Sequence, residues 1–180
     1  MVRLLSVASA VILMLPVLSG CLSDQRGDQV SPTEIEVELY ETVLGPVRVT
    51  LEAADGSIAS RRLSREVQSI VLRNRRGGEE LEGRESPIRV VLEAELRTRD
   101  SKNGGMLSRD YLLTLRGELR GSGDRALGVL TGRIERSSSR FILQAVDSDE
   151  EDNLLDAWDD RFYRRAAGIV YEKLDSIYKK

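Results

Sequence analysis

The sequence predicts an α+β fold, a two-layer sandwich in which a mostly antiparallel sheet packs against two helices, the second of them long and C-terminal. Three observations predict it. Runs of alternating apolar and charged residues recur along the chain, as strands with one wet face require. Two segments change to a helical period, one after the first strands and one at the C-terminal end. Short glycine-containing stretches separate successive alternating runs, the mark of an antiparallel meander.

Each element follows in order. "IEVELYE" puts Ile35, Val37 and Leu39 on one face, and "VRVTL" does the same with Val47, Val49 and Leu51. The "LGP" between them carries turn residues, so these two runs are expected to form a hairpin or one bent strand. "SRRLSREVQSIVLRNRR" then changes period. Leu63, Val67, Ile70 and Val71 share one helical stripe, which predicts a helix over 59–74. Asp55 or Ser57 would start it and Gly77-Gly78 would end it. After the loop "GGEELEGRESP", "IRVVLEAELRTRD" aligns Ile88, Val90, Leu92, Ala94 and Leu96. "SKNGG" is a turn, "DYLLTLRGELRG" aligns Tyr111, Leu113, Leu115 and Leu119, and "GSGD" is a second turn. "ALGVLTGRIER" follows with Leu130 and Ile134 inward, and "SSSRFILQAV" either adds a short strand or extends this one past a bulge. The last helix is expected over 149–178, with Leu155, Trp158, Phe162, Ile169 and Leu174 near one stripe. Ser148 with Glu151 fits a capping box, and acidic residues at the start with Lys179-Lys180 at the end suit the macrodipole.

Composition narrows the chemistry. Lys plus Arg is 27 and Asp plus Glu is 30, a net charge of −3, which gives no reason to expect a nucleic acid partner. The chain has no histidine, which removes the commonest general base, the usual hydrolase triads and histidine-containing zinc sites. Paired carboxylates can hydrolyse glycosides, but the acids here alternate on strands or line a helix start, and aromatics are only 4% of residues. "GSG" at Gly121–Gly123 lies between strands, so it reads as a hairpin turn and not a phosphate loop. "DSDEEDN" lacks the spacing and central glycine of a calcium loop, and an acidic helix start explains it. The expectation is a protein that is not an enzyme and carries no metal or cofactor.

The N-terminus reads as a targeting segment. Arg3 precedes an apolar stretch from about Leu4 to Leu18, and small residues follow, as in a signal peptide over 1–20. That apolar core is too short for a confident membrane span. Leu18-Ser19-Gly20-Cys21 resembles the lipobox of bacterial lipoproteins, and Cys21 is the only cysteine. The resemblance implies cleavage before Cys21, a thioether-linked diacylglyceryl group and an acylated amino group of the palmitate type. Several chains give a stable membrane anchor, at about 0.8 kcal/mol per buried methylene. An ordinary signal peptide with a cysteine at its end is the alternative. Leu22, where an aspartate would retain a Gram-negative lipoprotein in the inner membrane, implies an outer-membrane position facing the periplasm. "LSDQRGDQVSPTE" is polar, so 21–32 is expected to be a lipidated tether and 33–180 a single domain.

One cluster stands out from the balanced charge. Arg61, Arg62, Arg65, Arg73, Arg75 and Arg76 are offset by Glu66 alone, which makes them candidates for an anionic ligand such as lipid phosphates, a lipopolysaccharide head group or an acidic protein. A solvated helix face is the plainer explanation. Trp158, Phe162 and Tyr163 lie at helical spacing; core against the sheet explains at least the first two, and a partner-docking stripe is the alternative.

"DYLLTLRGELR", with its leading tyrosine, and "EEDNLLDAWDDRFYRRAAGIVYEKL", with its acidic start and "RAA" before an apolar tail, resemble stretches of the LptE-type lipopolysaccharide-assembly lipoproteins. The order strand, helix, antiparallel strands, helix after a lipobox resembles that family too. The chain lacks the family's glycine-rich aromatic segment after the cysteine. The resemblance implies a partner in an outer-membrane β-barrel, contact with lipopolysaccharide and a role in its assembly; it assigns no binding residues. An auxiliary lipoprotein of an envelope lipid-transport ABC system is the second reading, and a glycan-directed enzyme the third.

Overall fold

The computed structural model describes residues 29–30, 33–42, 47–75, 86–142 and 147–178. In chain order these form strands β1 (Gln29–Val30), β2 (Glu34–Leu39) and β3 (Val47–Ala53), helix α1 (Ile58–Arg75), strands β4 (Ser86–Asn103), β5 (Met106–Arg120) and β6 (Ala126–Phe141), and helix α2 (Ser148–Tyr178). The sheet runs β6, β5, β4, β3, with β1 and β2 both lying along the outer side of β6. All pairings are antiparallel except that of β3 with β4. Both helices pack on one face, α1 over β3 and β4 and α2 over β6 and β2. This is the α+β sandwich the alternation predicts, with a mixed sheet. The signal segment, Cys21, Arg76, Gly77-Gly78 and Lys179-Lys180 lie outside the described residues. Within the stretch expected to be a tether, Gln29 and Val30 pair with Ser137 and Arg136 of β6.

The long β4–β5–β6 meander forms because period two holds over all three strands. Ile88, Val90, Leu92, Leu113, Leu119 and Leu130 are all buried beneath the helices, while charged residues alternate onto the open face. Gly104 and Gly105 close the first turn with φ of +57° and +80°, the two-residue hairpin geometry that favours glycine at both positions. β6 continues unbroken through "SSSRF"; the irregularity in its pairing with β5 lies instead at Leu119/Arg120, beside the second turn.

The first two long strands do not form a hairpin or one bent strand. β2 pairs with β6, and β3 sits at the opposite edge of the sheet on β4. Two features account for this. An 18-residue helix between β3 and β4 supplies the long crossover that parallel neighbours need. And β6 carries glycines where β2 crosses it: a Cβ on Gly128 would meet the Glu38 carbonyl at 2.4 Å, and one on Gly132 would meet Ile35 Cγ1 at 2.8 Å. The "LGP" expected to be a turn, Leu44-Gly45-Pro46, lies outside the described residues.

α1 begins one residue before its expected start. The Ser57 hydroxyl accepts from the Ser60 N–H at 3.1 Å, so Ser57 caps the helix, and Asp55 Oδ1 accepts from the Ser57 N–H at 3.2 Å. The same turn finishes the sheet. β3 ends beside Leu92, which leaves the edge of β4 open at Ala94. The buried Ser60 hydroxyl takes the Ala94 N–H at 2.7 Å and donates to the Ala94 carbonyl at 3.3 Å. α2 is capped one residue earlier than the capping box proposes: the Asp147 carbonyl accepts from the Glu151 N–H at 3.0 Å and its Oδ1 from the Ser148 N–H at 2.8 Å.

α2 buries Trp158, Phe162 and Leu174 as its stripe predicts, with Leu155 and Ile169 half-buried. Tyr163, Ala166, Ala167 and Val170 are buried as well, which broadens the stripe through "RRAAGIV". Phe162 stacks on Tyr111 of β5, rings 4.4 Å apart and 8° from parallel. Below that stack, Asp159 Oδ1 accepts from the Tyr111 hydroxyl at 2.9 Å and from Arg109 Nη1 at 2.9 Å. Arg109 also grips Asp100 with two bonds, at 2.6 and 2.7 Å.

The Tyr111 phenol has its pKa pushed up, first by burial and then by the Asp159 carboxylate, so it stays neutral in the fold where the unfolded chain ionises. A group raised in this way stabilises fully below its unfolded pKa, and that stabilisation is lost as pH rises beyond about 10. Urea unfolding from pH 8 to 11 should therefore show stability falling above pH 10, with a shallower fall in Tyr111→Phe. Tyr163, also raised chiefly by burial, keeps part of the slope in that variant. Parallel curves for the two proteins would contradict the assignment.

Candidate functional site

α1 runs along β3 at the sheet edge, and the stripe it turns there lines a groove of about 650 Å³. Positions 61, 65, 68 and 72 follow one another at three- and four-residue steps, and 64 lies three after 61 and four before 68, so all five share a helix face. Arg61, Ser64, Arg65, Gln68, Ser69, Leu72 and Arg73 come from the helix, and Leu51 and Ala53 from the strand. Among the described residues no acidic side chain lines it. Arg61 and Arg65 are exposed and make no ion pair among the described residues. Among the described residues Arg73 reaches only the Ser69 hydroxyl, at 3.5 Å.

The structure therefore divides the arginine cluster. Arg61, Arg65 and Arg73 come together on the groove. Arg62 turns the other way: it pairs with Asp160 of α2 and lies over the Tyr163 ring, 4.5 Å from its centre. It joins the two helices and is not a groove residue. Arg75 ends α1, but its side chain and Arg76 lie outside the described residues. Trp158, Phe162 and Tyr163 are core, which leaves no docking stripe there.

The polar groups of the groove differ in how they are satisfied. Gln68 Oε1 accepts from the Leu51 N–H at 3.0 Å, which ties the helix to the open edge of β3. That bond also occupies a backbone donor that an added strand would need. Its amide nitrogen makes no hydrogen bond among the described residues. Ser64 is 6% exposed, and its buried hydroxyl has no partner among the described residues. Three guanidinium groups, an amide donor, two hydroxyls and the apolar Leu51, Ala53 and Leu72 share one cleft. That donor set suits phosphate or carboxylate oxygens, and the apolar wall suits the beginning of an acyl chain.

Sequence reading did not find Ser64, Gln68 or the strand wall. The signal was present in the spacing: Ser64 and Gln68 fall between Arg61, Arg65 and Leu72 on the same helical face. The strand's contribution depends on the crossover, which the expected hairpin hid.

Ser60 and Ser64 make a matched pair of tests one helical turn apart. Ser60→Ala strips the Ala94 N–H of its acceptor and should cost about 1–3 kcal/mol. Ser64→Ala removes a hydroxyl that has no partner among the described residues and should leave stability unchanged or raised. Thermal or urea unfolding of both variants checks this; equal losses would contradict it.

Other chemistry is sparse. Among the described residues no group of three or more His, Cys, Asp or Glu side chains is placed to hold a metal ion, and no helix is long and apolar enough to cross a membrane. No protein-family model and no curated protein matches the chain. Among solved structures, it is similar to a minor lipoprotein from Acinetobacter baumannii, at 14% identity with a TM-score of 0.41, over 73% of this chain and 94% of that one. The likeness at that level extends to no functional residue.

Proposed function

We propose that this protein is a non-enzymatic, lipid-anchored envelope lipoprotein that binds the anionic end of an amphiphile in the α1–β3 groove. In the fuller reading it stands on the outer membrane facing the periplasm, is acylated on Cys21, and assists lipopolysaccharide transport or assembly with a β-barrel partner. The groove carries this reading. It gathers three arginines that make no ion pair among the described residues against an apolar wall, in a molecule whose net charge is negative. Folding alone supplies no reason to place like charges side by side, since they repel. A cleft of about 650 Å³ accommodates a phosphorylated head group and the start of a chain, not a whole multi-acylated lipid. The remainder of such a ligand would extend past exposed Leu72. The lipobox at Leu18–Cys21 supports the anchor, and the resemblance of "DYLLTLRGELR" and of the α2 sequence to LptE-type proteins supports the role.

Crosslinking in intact membranes, followed by purification of the lipidated protein, tests the partner. Recovery of a large outer-membrane β-barrel is the expected result. Recovery of inner-membrane permease and ATPase subunits without the barrel would replace this role by that of an auxiliary lipoprotein in a lipid-transport ABC system.

A further inference from the structure

We propose that the tip of the β4–β5–β6 ribbon contacts the membrane that holds the lipid anchor, so that the protein stands end-on and carries its groove at the far end. This rests on the Cys21 anchor of the preceding section.

Met106 and Phe141 are direct cross-strand partners at the end of the ribbon. They are 46% and 56% exposed, large apolar side chains side by side where the sheet meets solvent. The glycine turn and a 2.6 Å bond from the Ile142 N–H to the Gly105 carbonyl fix the backbone beneath them. Exposed Arg140 stands next in sequence to Phe141 and offers a cation at head-group level.

The chain enters at this same end. Gln29 pairs with Ser137. From Ser137 to Phe141 is roughly 13 Å along the strand. From Cys21 to Gln29 the chain reaches at most roughly 28 Å when fully extended. A lipid on Cys21 therefore holds the bilayer within reach of the tip. The groove lies at the other end: Leu51 sits beside Val90, whereas the tip is at Asn103. That length of β4 measures roughly 43 Å at 3.3 Å per residue. The acidic start of α2 stands behind the tip, where Lys102 pairs with Glu151 at 2.7 Å, so the contact is apolar and small and depends on the anchor. An end-on stance places the groove clear of the protein's own membrane, where it can receive a head group from elsewhere.

The test uses the full lipidated chain in phosphatidylethanolamine–phosphatidylglycerol vesicles. A single environment-sensitive fluorophore is attached through Met106→Cys, and in separate proteins through Phe141→Cys and Thr50→Cys, since the native sulfur is acylated. Nitroxide-bearing lipids are then added as quenchers. The expected result is blue-shifted emission and strong quenching at positions 106 and 141, with aqueous emission and little quenching at 50. Vesicle-bound protein with aqueous emission at both tip positions would overturn this proposal and leave the anchor intact. Protein that does not float with the vesicles, and whose Cys21 remains reactive to maleimide, would overturn the anchor and this inference together.

Discussion

Phe162→Ala is expected to lower the unfolding free energy by about 3–5 kcal/mol, the usual cost of emptying a buried aromatic site. Phe162 is 2% exposed. It stacks on Tyr111 and meets the Tyr163 ring edge-on, 5.9 Å away at 74°. Its loss removes both ring contacts and opens a cavity over the Asp159–Tyr111–Arg109 network, so α2 loses its main grip on the middle of the sheet. A single domain is stable by only about 5–15 kcal/mol, so this one change should consume a large part of it. Urea unfolding with an unchanged slope checks the value. A loss below about 1 kcal/mol would show that α2 is held elsewhere.

Reversing the groove charge should have the largest effect on binding. In the triple variant Arg61→Glu, Arg65→Glu, Arg73→Glu, each site loses a charge-assisted bond of about 1.5–3 kcal/mol and gains a repulsion. Since about 1.4 kcal/mol is tenfold, affinity for lipopolysaccharide should fall well beyond tenfold. Arg61, Arg65 and Arg73 are exposed, so the fold should survive. Arg62→Gln is the control. It breaks the Asp160 pair and the Tyr163 contact, so it should reduce stability and leave affinity near that of the unmodified protein. Titration of the four-arginine set in this way separates a groove from a diffuse basic helix.

The fold was legible where a pattern was local. Alternation located β4, β5 and β6 because one face of each is buried over several alternate positions, Ile88 to Ala94 in β4, Tyr111 to Leu119 in β5 and Leu130 to Ile134 in β6, and the helical stripes located α1 and α2 within a residue or two. The partner of β2 was not legible. Its choice of β6 over β3 depends on glycines at 128 and 132 and on a crossover helix, features that act across nearly a hundred residues of chain. The site was half legible. Arginine content marked the helix, but composition cannot say which way each side chain turns. The four-residue step from Arg61 to Arg65 keeps both on the groove, whereas Arg62 lies about 100° around the helix and meets α2. The unpartnered hydroxyl of Ser64 has no sequence signature at all, since the neighbouring Ser60 on the same helix is fully bonded.

Site-specific photocrosslinking to lipopolysaccharide reads occupation of the α1–β3 groove itself. A benzophenone side chain would replace Leu72, at the open mouth of the groove, and in a separate protein Thr131, on the exposed face of the sheet. An adduct is expected from position 72 and none from 131, with the adduct lost when Arg61, Arg65 and Arg73 are reversed. Equal adducts at both positions, or an adduct at 72 that survives the reversal, would contradict it.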